Sequence, residues 1–183
     1  IMFFTVGLLA FSANAVLKPL VPKSVLYDVN GDGIVSIVCI GDSNTMTLAD
    51  NVDNSWYRWC EGMKEAFVGM PVSIANVAFM GCAVADQNCG GLDQLRQALA
   101  GTRHPALGGP YPPADVVIAA FGTNDIILRH YPYKKIVDAY RDVISTARKQ
   151  IVLIATTPPV ISQQHIQAGH DWMIVNLNRA IRG

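Results

Sequence analysis

The sequence predicts an α/β fold, one parallel sheet sandwiched between helices, and two observations carry that prediction. Short apolar, β-branched runs alternate along the chain with segments of helical period. Those runs also lack the two-residue alternation of half-exposed strands, so they read as strands buried on both faces.

The elements follow in order. Ile34 to Ile40 is an apolar run that stops at Gly41 and reads as the first strand. Trp56 to Phe67 has the pattern of a helix, and Pro71 to Val77 is the second strand. Leu92 to Ala100 is a short helix, followed by a Gly- and Pro-rich loop from Gly108 to Pro113. Asp115 to Phe121 is the third strand and stops at Gly122. Lys134 to Lys149 is the clearest helix. It places Ile136, Tyr140, Val143, Ile144 and Ala147 on one stripe, opposite Asp138, Arg141, Asp142 and Ser145. Ile151 to Ala155 is the fourth strand, stopped by Thr156 to Pro159. In the final segment Met173, Ile174, Leu177 and Ile181 share one helical face.

Length and composition are consistent with this. The 183 residues suit one domain able to bury a sizeable core. Hydrophobic residues are 51% and charged residues 15%, which excludes an extended disordered chain. Fourteen basic residues balance fourteen acidic ones, so the basic excess of a nucleic-acid binder is missing. There is no apolar run of about 20 residues for a membrane span.

The beginning of the chain reads as residues 1–15 of a partial secretory signal. Phe3 to Phe11 is an apolar core, and Ala13-Asn14-Ala15 has the form of a signal-peptidase site. The basic n-region is missing and the chain opens on Ile1. An apolar element of the mature fold and an uncleaved anchor are the alternatives. Residues 16–33 are then a linker and turn, and 34–183 the domain proper.

In a parallel α/β sheet ligands sit at the carboxyl ends of the strands. Gly41-Asp42-Ser43-Asn44-Thr45 follows the first strand, Gly81 lies five residues beyond Asn76, and Gly122-Thr123-Asn124-Asp125 follows the third. A Ser, a Gly and an Asn are thus expected on one edge. Acyl transfer uses these types: a hydroxyl nucleophile, a backbone N–H unhindered by a Cβ, and a neutral amide donor for the oxyanion. Asp42 and Asp125 are read as turn or cap residues. Ser43 as a helix N-cap and Asn124 as an Asx turn are the purely structural readings of the same residues.

These three blocks resemble those of the SGNH, or GDSL-type, esterases and lipases. The resemblance runs from about Ile34 to about Pro159. It implies a flavodoxin-like three-layer αβα sandwich with five parallel strands, and ester hydrolysis through a Ser nucleophile without metal or organic cofactor. It implies Ser43, Gly81 and Asn124 as the catalytic set. The family's last block, an Asp followed three residues later by a His base, has no match here: none of His104, His130, His165 and His170 has an Asp three residues before it. With four strands found where the resemblance implies five, the last strand and the base are expected beyond Gly183, and residues 1–183 alone are expected to lack activity. His165 or His170 serving as base is the rival. Substrates are expected among acetylated carbohydrates and short-chain or lipid esters, in a secreted or periplasmic setting, with no nucleic-acid partner. A non-catalytic accessory domain on the same fold is the alternative function.

Three features remain. Asp28 to Gly33 resembles the front of a calcium loop, but the twelfth position is Cys39, where a bidentate Glu is needed. An Asx- and Gly-rich turn is the expected reading, with no metal. Of Cys39, Cys60, Cys82 and Cys89, the last two bracket a short loop and are the expected disulfide, while Cys39 is expected as a buried thiol. Trp56 and Trp59 are expected to pack the first helix on the sheet rather than to form a sugar platform, and His104 and His130 to lie in surface loops.

Overall fold

The computed structural model describes residues 28–46, 59–102, 110–155, 157 and 169–182. The expected signal segment, the linker up to residue 27, Trp56, His104 and His165 lie outside them.

The strands are β1 (Val35–Gly41), β2 (Val72–Asn76), β3 (Val116–Ala120) and β4 (Ile151–Ile154). They form one parallel sheet in the order β2-β1-β3-β4. The helices are α1 (Trp59–Gly62), continued by a 3-10 turn at Met63–Phe67, then α2 (Gly91–Ala100), α3 (Thr123–Ile127), α4 (Tyr133–Thr146) and α5 (His170–Arg182). The parallel α/β sheet that the sequence predicts is therefore present, with four strands among the described residues.

β1 is buried along its whole length because both of its faces are covered. Val38 and Ile40 point into the larger core with Leu95 and Ala98 of α2, Ile136, Tyr140 and Val143 of α4, and Ile174 and Leu177 of α5. Val35, Ile37 and Cys39 point the other way, into a smaller core with Cys60, Ile74 and Trp59. Two residues per pleat send alternate side chains to opposite faces, so a wholly apolar strand feeds both cores. β4 is an edge of the described sheet, and Leu153 on it is exposed. Thr157, just beyond it, is pinned by a two-way bond to the side chain of Asn178 on α5, at 2.7 and 2.8 Å.

Three local expectations are corrected. Cys39 is not a thiol: it forms a disulfide with Cys60 of α1, alongside Cys82–Cys89. Its mid-strand position does not prevent this, because α1 packs on the face to which Cys39 points. The helix expected through Phe67 gives way at Gly62 to a 3-10 turn, as a weak helix former near a helix end allows. Ile144 does not join the buried stripe of α4 and is 48% exposed, although Ile136, Tyr140, Val143 and Ala147 are buried as expected.

The segment Asp28–Gly33 is a turn closed by its own carboxylates. Asp28 accepts from the N–H groups of Gly31, Asp32 and Gly33, and Asn30 from that of Asp32. Among the described residues no cluster of three or more His, Cys, Asp or Glu could hold a metal ion. No helix among them is long and apolar enough to cross a membrane.

Candidate active site

Strand pairing brings the three blocks to one edge. Gly41, the last residue of β1, pairs with Ala120, the last of β3, and Cys39 pairs with Asn76, the last of β2. The loops carrying Ser43, Gly81 and Asn124 therefore leave the sheet side by side.

The Ser43 loop turns immediately after β1. Thr45 and Met46 donate their N–H groups to the carbonyl of Asp42 at 3.0 and 2.9 Å. The Asp42 carboxylate accepts from the Asn44 N–H at 2.9 Å, so Asp42 is buried while Ser43 is left half-exposed at the tip. Gly41 makes this approach feasible: a Cβ there would stand 2.6 Å from the Ala120 carbonyl oxygen and collide with Thr45. Its backbone is completed by a side chain, since Gln94 accepts from the Gly41 N–H at 2.7 Å and donates to its carbonyl at 2.9 Å.

Gly81 has φ +75°, a conformation that L side chains rarely adopt, with open space where a Cβ would sit. The loop around it is tied by Cys82–Cys89. Asn124, on the first turn of α3, is 6% exposed and donates Nδ2–H to the Cys82 carbonyl at 3.1 Å. An amide carries two N–H bonds, so this bond leaves a second donor. Asn44 Nδ2 donates to Thr123 Oγ1 at 3.4 Å, across from the first block to the third. The third block is thus bonded to both of the others.

Asp125 is a structural carboxylate, as its sequence context suggests, but with a specific task. It accepts from the Val84 and Ala85 N–H groups at 2.9 and 3.2 Å and so fixes the loop that carries Gly81. Burial pushes Asp125 up to about 6, against the hydrogen bonds from Val84 and Ala85, and the charge of Asp86 adds to the rise. Burial likewise pushes Asp42 up to about 6, against bonds from Asn44 and Asn124, with Asp125 adding to the rise. Behind them burial, reinforced by Asp125 and Asp42, raises Tyr140, whose hydroxyl stays protonated and donates to the Phe121 carbonyl at 2.9 Å.

Of the His residues, His170 opens α5 and its ring lies 5.5 Å from that of His130, centroid to centroid. Gln94, Asp86 and Arg129 are missed by sequence reasoning. Gln94 and Arg129 bond backbone atoms of distant segments, at Gly41 and Gly81, and Asp86 bonds the Ala83 N–H and the distant Arg129. No spacing rule announces such a side chain.

A parallel α/β sheet, four-stranded among the described residues, with G-D-S, Gly and G-T-N-D loops beyond its strand ends fits the SGNH class of hydrolases. The model of the GDSL-like lipase/acylhydrolase family matches residues 39–183, and the chain belongs to that family. Solved structures agree on the fold. A lipase/acylhydrolase from Enterococcus faecalis is 16% identical with a TM-score of 0.53, covering 81% of this chain and 71% of its own. A carbohydrate acetylesterase family member from Sinorhizobium meliloti is 17% identical with a TM-score of 0.54, covering 81% and 78%. A lipolytic protein of the G-D-S-L family from Veillonella parvula is 22% identical with a TM-score of 0.50, covering 81% and 70%. No curated protein gives a significant match.

Proposed function

We propose that this protein is a secreted serine ester hydrolase in which Ser43 attacks the carbonyl of a carboxylic ester. The single observation that supports this most strongly is the Asn124 amide. It is buried and bonded on one side to the Cys82 carbonyl, while its neighbour Thr123 accepts from Asn44 of the Ser43 turn.

In this reading the Ser43 hydroxyl adds to the ester carbon and its proton passes to a base. The negative charge that builds on the carbonyl oxygen is met by the Ser43 N–H, the Gly81 N–H and the second Nδ2–H of Asn124. Donors fixed before reaction cost no reorganisation when the charge appears, and this is the largest gain such a site offers. Collapse of the tetrahedral centre expels the alcohol, whose oxygen takes the proton from the base, and leaves an acyl-Ser43. Water then adds in place of the alcohol and gives its proton to the base, and the second collapse releases the acid and returns the proton to Ser43. The base in this reading is a His supplied by an Asp-x-x-His segment beyond Gly183, with His165 or His170 as the rival. In the first case residues 1–183 alone are inactive, for a Ser hydroxyl without a base is a weak nucleophile at neutral pH.

The substrate class is an acetylated carbohydrate or a short-chain or lipid ester. The fold shared with an acetylesterase family member and with a lipase/acylhydrolase is compatible with either. Two disulfides among the described residues support an oxidising, extracytoplasmic setting, in line with the signal-like N-terminus. Turnover of short p-nitrophenyl esters by the full-length protein and its Ser43→Ala variant tests the reading.

A further inference from the structure

The Gly81 turn is bonded on nearly every peptide, and one of those bonds comes from a residue that the reaction above does not use. Arg129 follows α3 and donates an Nη–H to the Gly81 carbonyl at 3.2 Å. The same guanidinium donates to both carboxylate oxygens of Asp86, each at 3.3 Å. Asp86 in turn accepts from the Ala83 N–H and the Tyr131 hydroxyl, both at 2.9 Å. Partial burial opposes ionisation of Asp86, but the bonds from Ala83, Arg129 and Tyr131 outweigh it and hold the carboxyl below its usual range.

The pattern has a direction. Gly81 is bonded through its carbonyl to Arg129, Cys82 through its carbonyl to Asn124, Ala83 through its N–H to Asp86, and Val84 and Ala85 through theirs to Asp125. Asn124, Asp125 and Arg129 all belong to one short stretch of chain. Nothing packs within 4 Å of the bare Cα side of Gly81, so van der Waals contact there does not hold the turn. Beside the Cys82–Cys89 disulfide, hydrogen bonds orient it, and at Gly81 itself the side-chain bond is from Arg129.

We propose that Arg129 is a positioning residue of the oxyanion hole: by bracketing the Gly81 carbonyl and Asp86 it fixes the Gly81–Cys82 peptide and the turn beside it, and through that turn the direction of the Gly81 N–H. The inference rests on the proposed esterase reading. It also predicts a separation of effects. The Arg129 side chain is 41% exposed, and an ion pair of that kind adds little to stability. Misplacing a donor that must meet a developing charge, in contrast, is expensive.

The test is steady-state kinetics of Arg129→Ala and Arg129→Lys in the full-length protein, with thermal unfolding measured on the same samples. A second readout is inhibition by an aryl boronic acid, which forms a tetrahedral adduct on a serine nucleophile. Arg129→Ala is expected to lower kcat by about 10- to 100-fold, to change KM by less than about twofold, and to weaken boronic acid inhibition by the same factor as kcat. Arg129→Lys is expected to recover part of each loss, since a lysine keeps one donor for the carbonyl. Combined with Asn124→Ala, the loss is expected to be less than the product of the two, because both act on one oxyanion. Unchanged kcat and inhibition in Arg129→Ala overturn the proposal, as does a loss of kcat matched by a loss of folded protein. If Ser43→Ala leaves turnover intact, the underlying reading has failed; if Ser43→Ala abolishes turnover and Arg129→Ala does nothing, only the role of Arg129 has.

Discussion

Where the strands begin, the buried Asp115 gathers the backbone N–H groups of Val29, Asn30 and Ser36, at 2.7, 3.3 and 2.8 Å. Where the strands finish, Asp42 does the same for Asn44, and Asp125 for Val84 and Ala85. The device is one and the same, a buried carboxylate closing a turn on the sheet. What surrounds it differs. At the first end the turn of Asp28 to Gly33 spends its polar side chains on its own backbone. At the other end a half-exposed Ser hydroxyl, a glycine at positive φ and an amide with a second N–H stand on the carboxylate scaffold. The lesson is that a buried Asp in a strand-end turn is not itself the mark of a site. The mark is donors and a nucleophile left over after the turn is closed.

Three substitutions or conditions sharpen that comparison. Asn124→Ala removes a donor at the finishing end and is expected to lower kcat by about 100- to 1000-fold with the protein still folded. A loss below about tenfold in steady-state kinetics would remove Asn124 from the oxyanion hole. Asp115→Ala acts at the other end. It strips the acceptor from three backbone N–H groups and is expected to cost about 2–4 kcal/mol of stability. The kcat per folded molecule should stay unchanged. Urea unfolding and active-site titration check the two halves, and a specific fall in kcat would mean that the ends are not separable.

The smallest effect is one of pH. Asp42 and Asp125 each rise from 3.8 to about 6 on folding because burial disfavours their charged forms. The folded protein thus holds more protons than the unfolded chain between those values, and stability falls as pH rises through that window. The slope is at most about 1.4 kcal/mol per pH unit for each proton held. Asp86 is shifted the other way, so its contribution is lost only as pH falls below the unfolded value of 3.8, outside this window. Denaturant unfolding from pH 4.5 to 6 should show the decline, and Asp42→Asn should reduce it; stability rising across that range would contradict the assignment.

Much of this was legible in the sequence. Apolar runs ending at Gly41, Asn76 and Gly122 marked three strand ends, and strand order then had to bring their loops together on the carboxyl edge. Cys82 and Cys89 could be paired because a short loop keeps them near each other. Cys39 and Cys60 could not, since their meeting depends on how α1 seats on the sheet 21 residues later. Gln94 was opaque for a related reason. It sits on α2 with an ordinary helical pattern, yet it is buried and completes the backbone of Gly41 across the fold. The roles of Asp86 and Arg129 were hidden in the same way, because a side chain that bonds a distant group leaves no periodicity behind.

The central claim is that the finishing end of the sheet carries an ester-cleaving Ser43. The most direct test is turnover of a short p-nitrophenyl ester by purified full-length Ser43→Ala, with circular dichroism to show that the variant is folded. The account predicts hydrolysis reduced to the no-enzyme background while the wild type turns over. Wild-type turnover retained in the folded variant would contradict it.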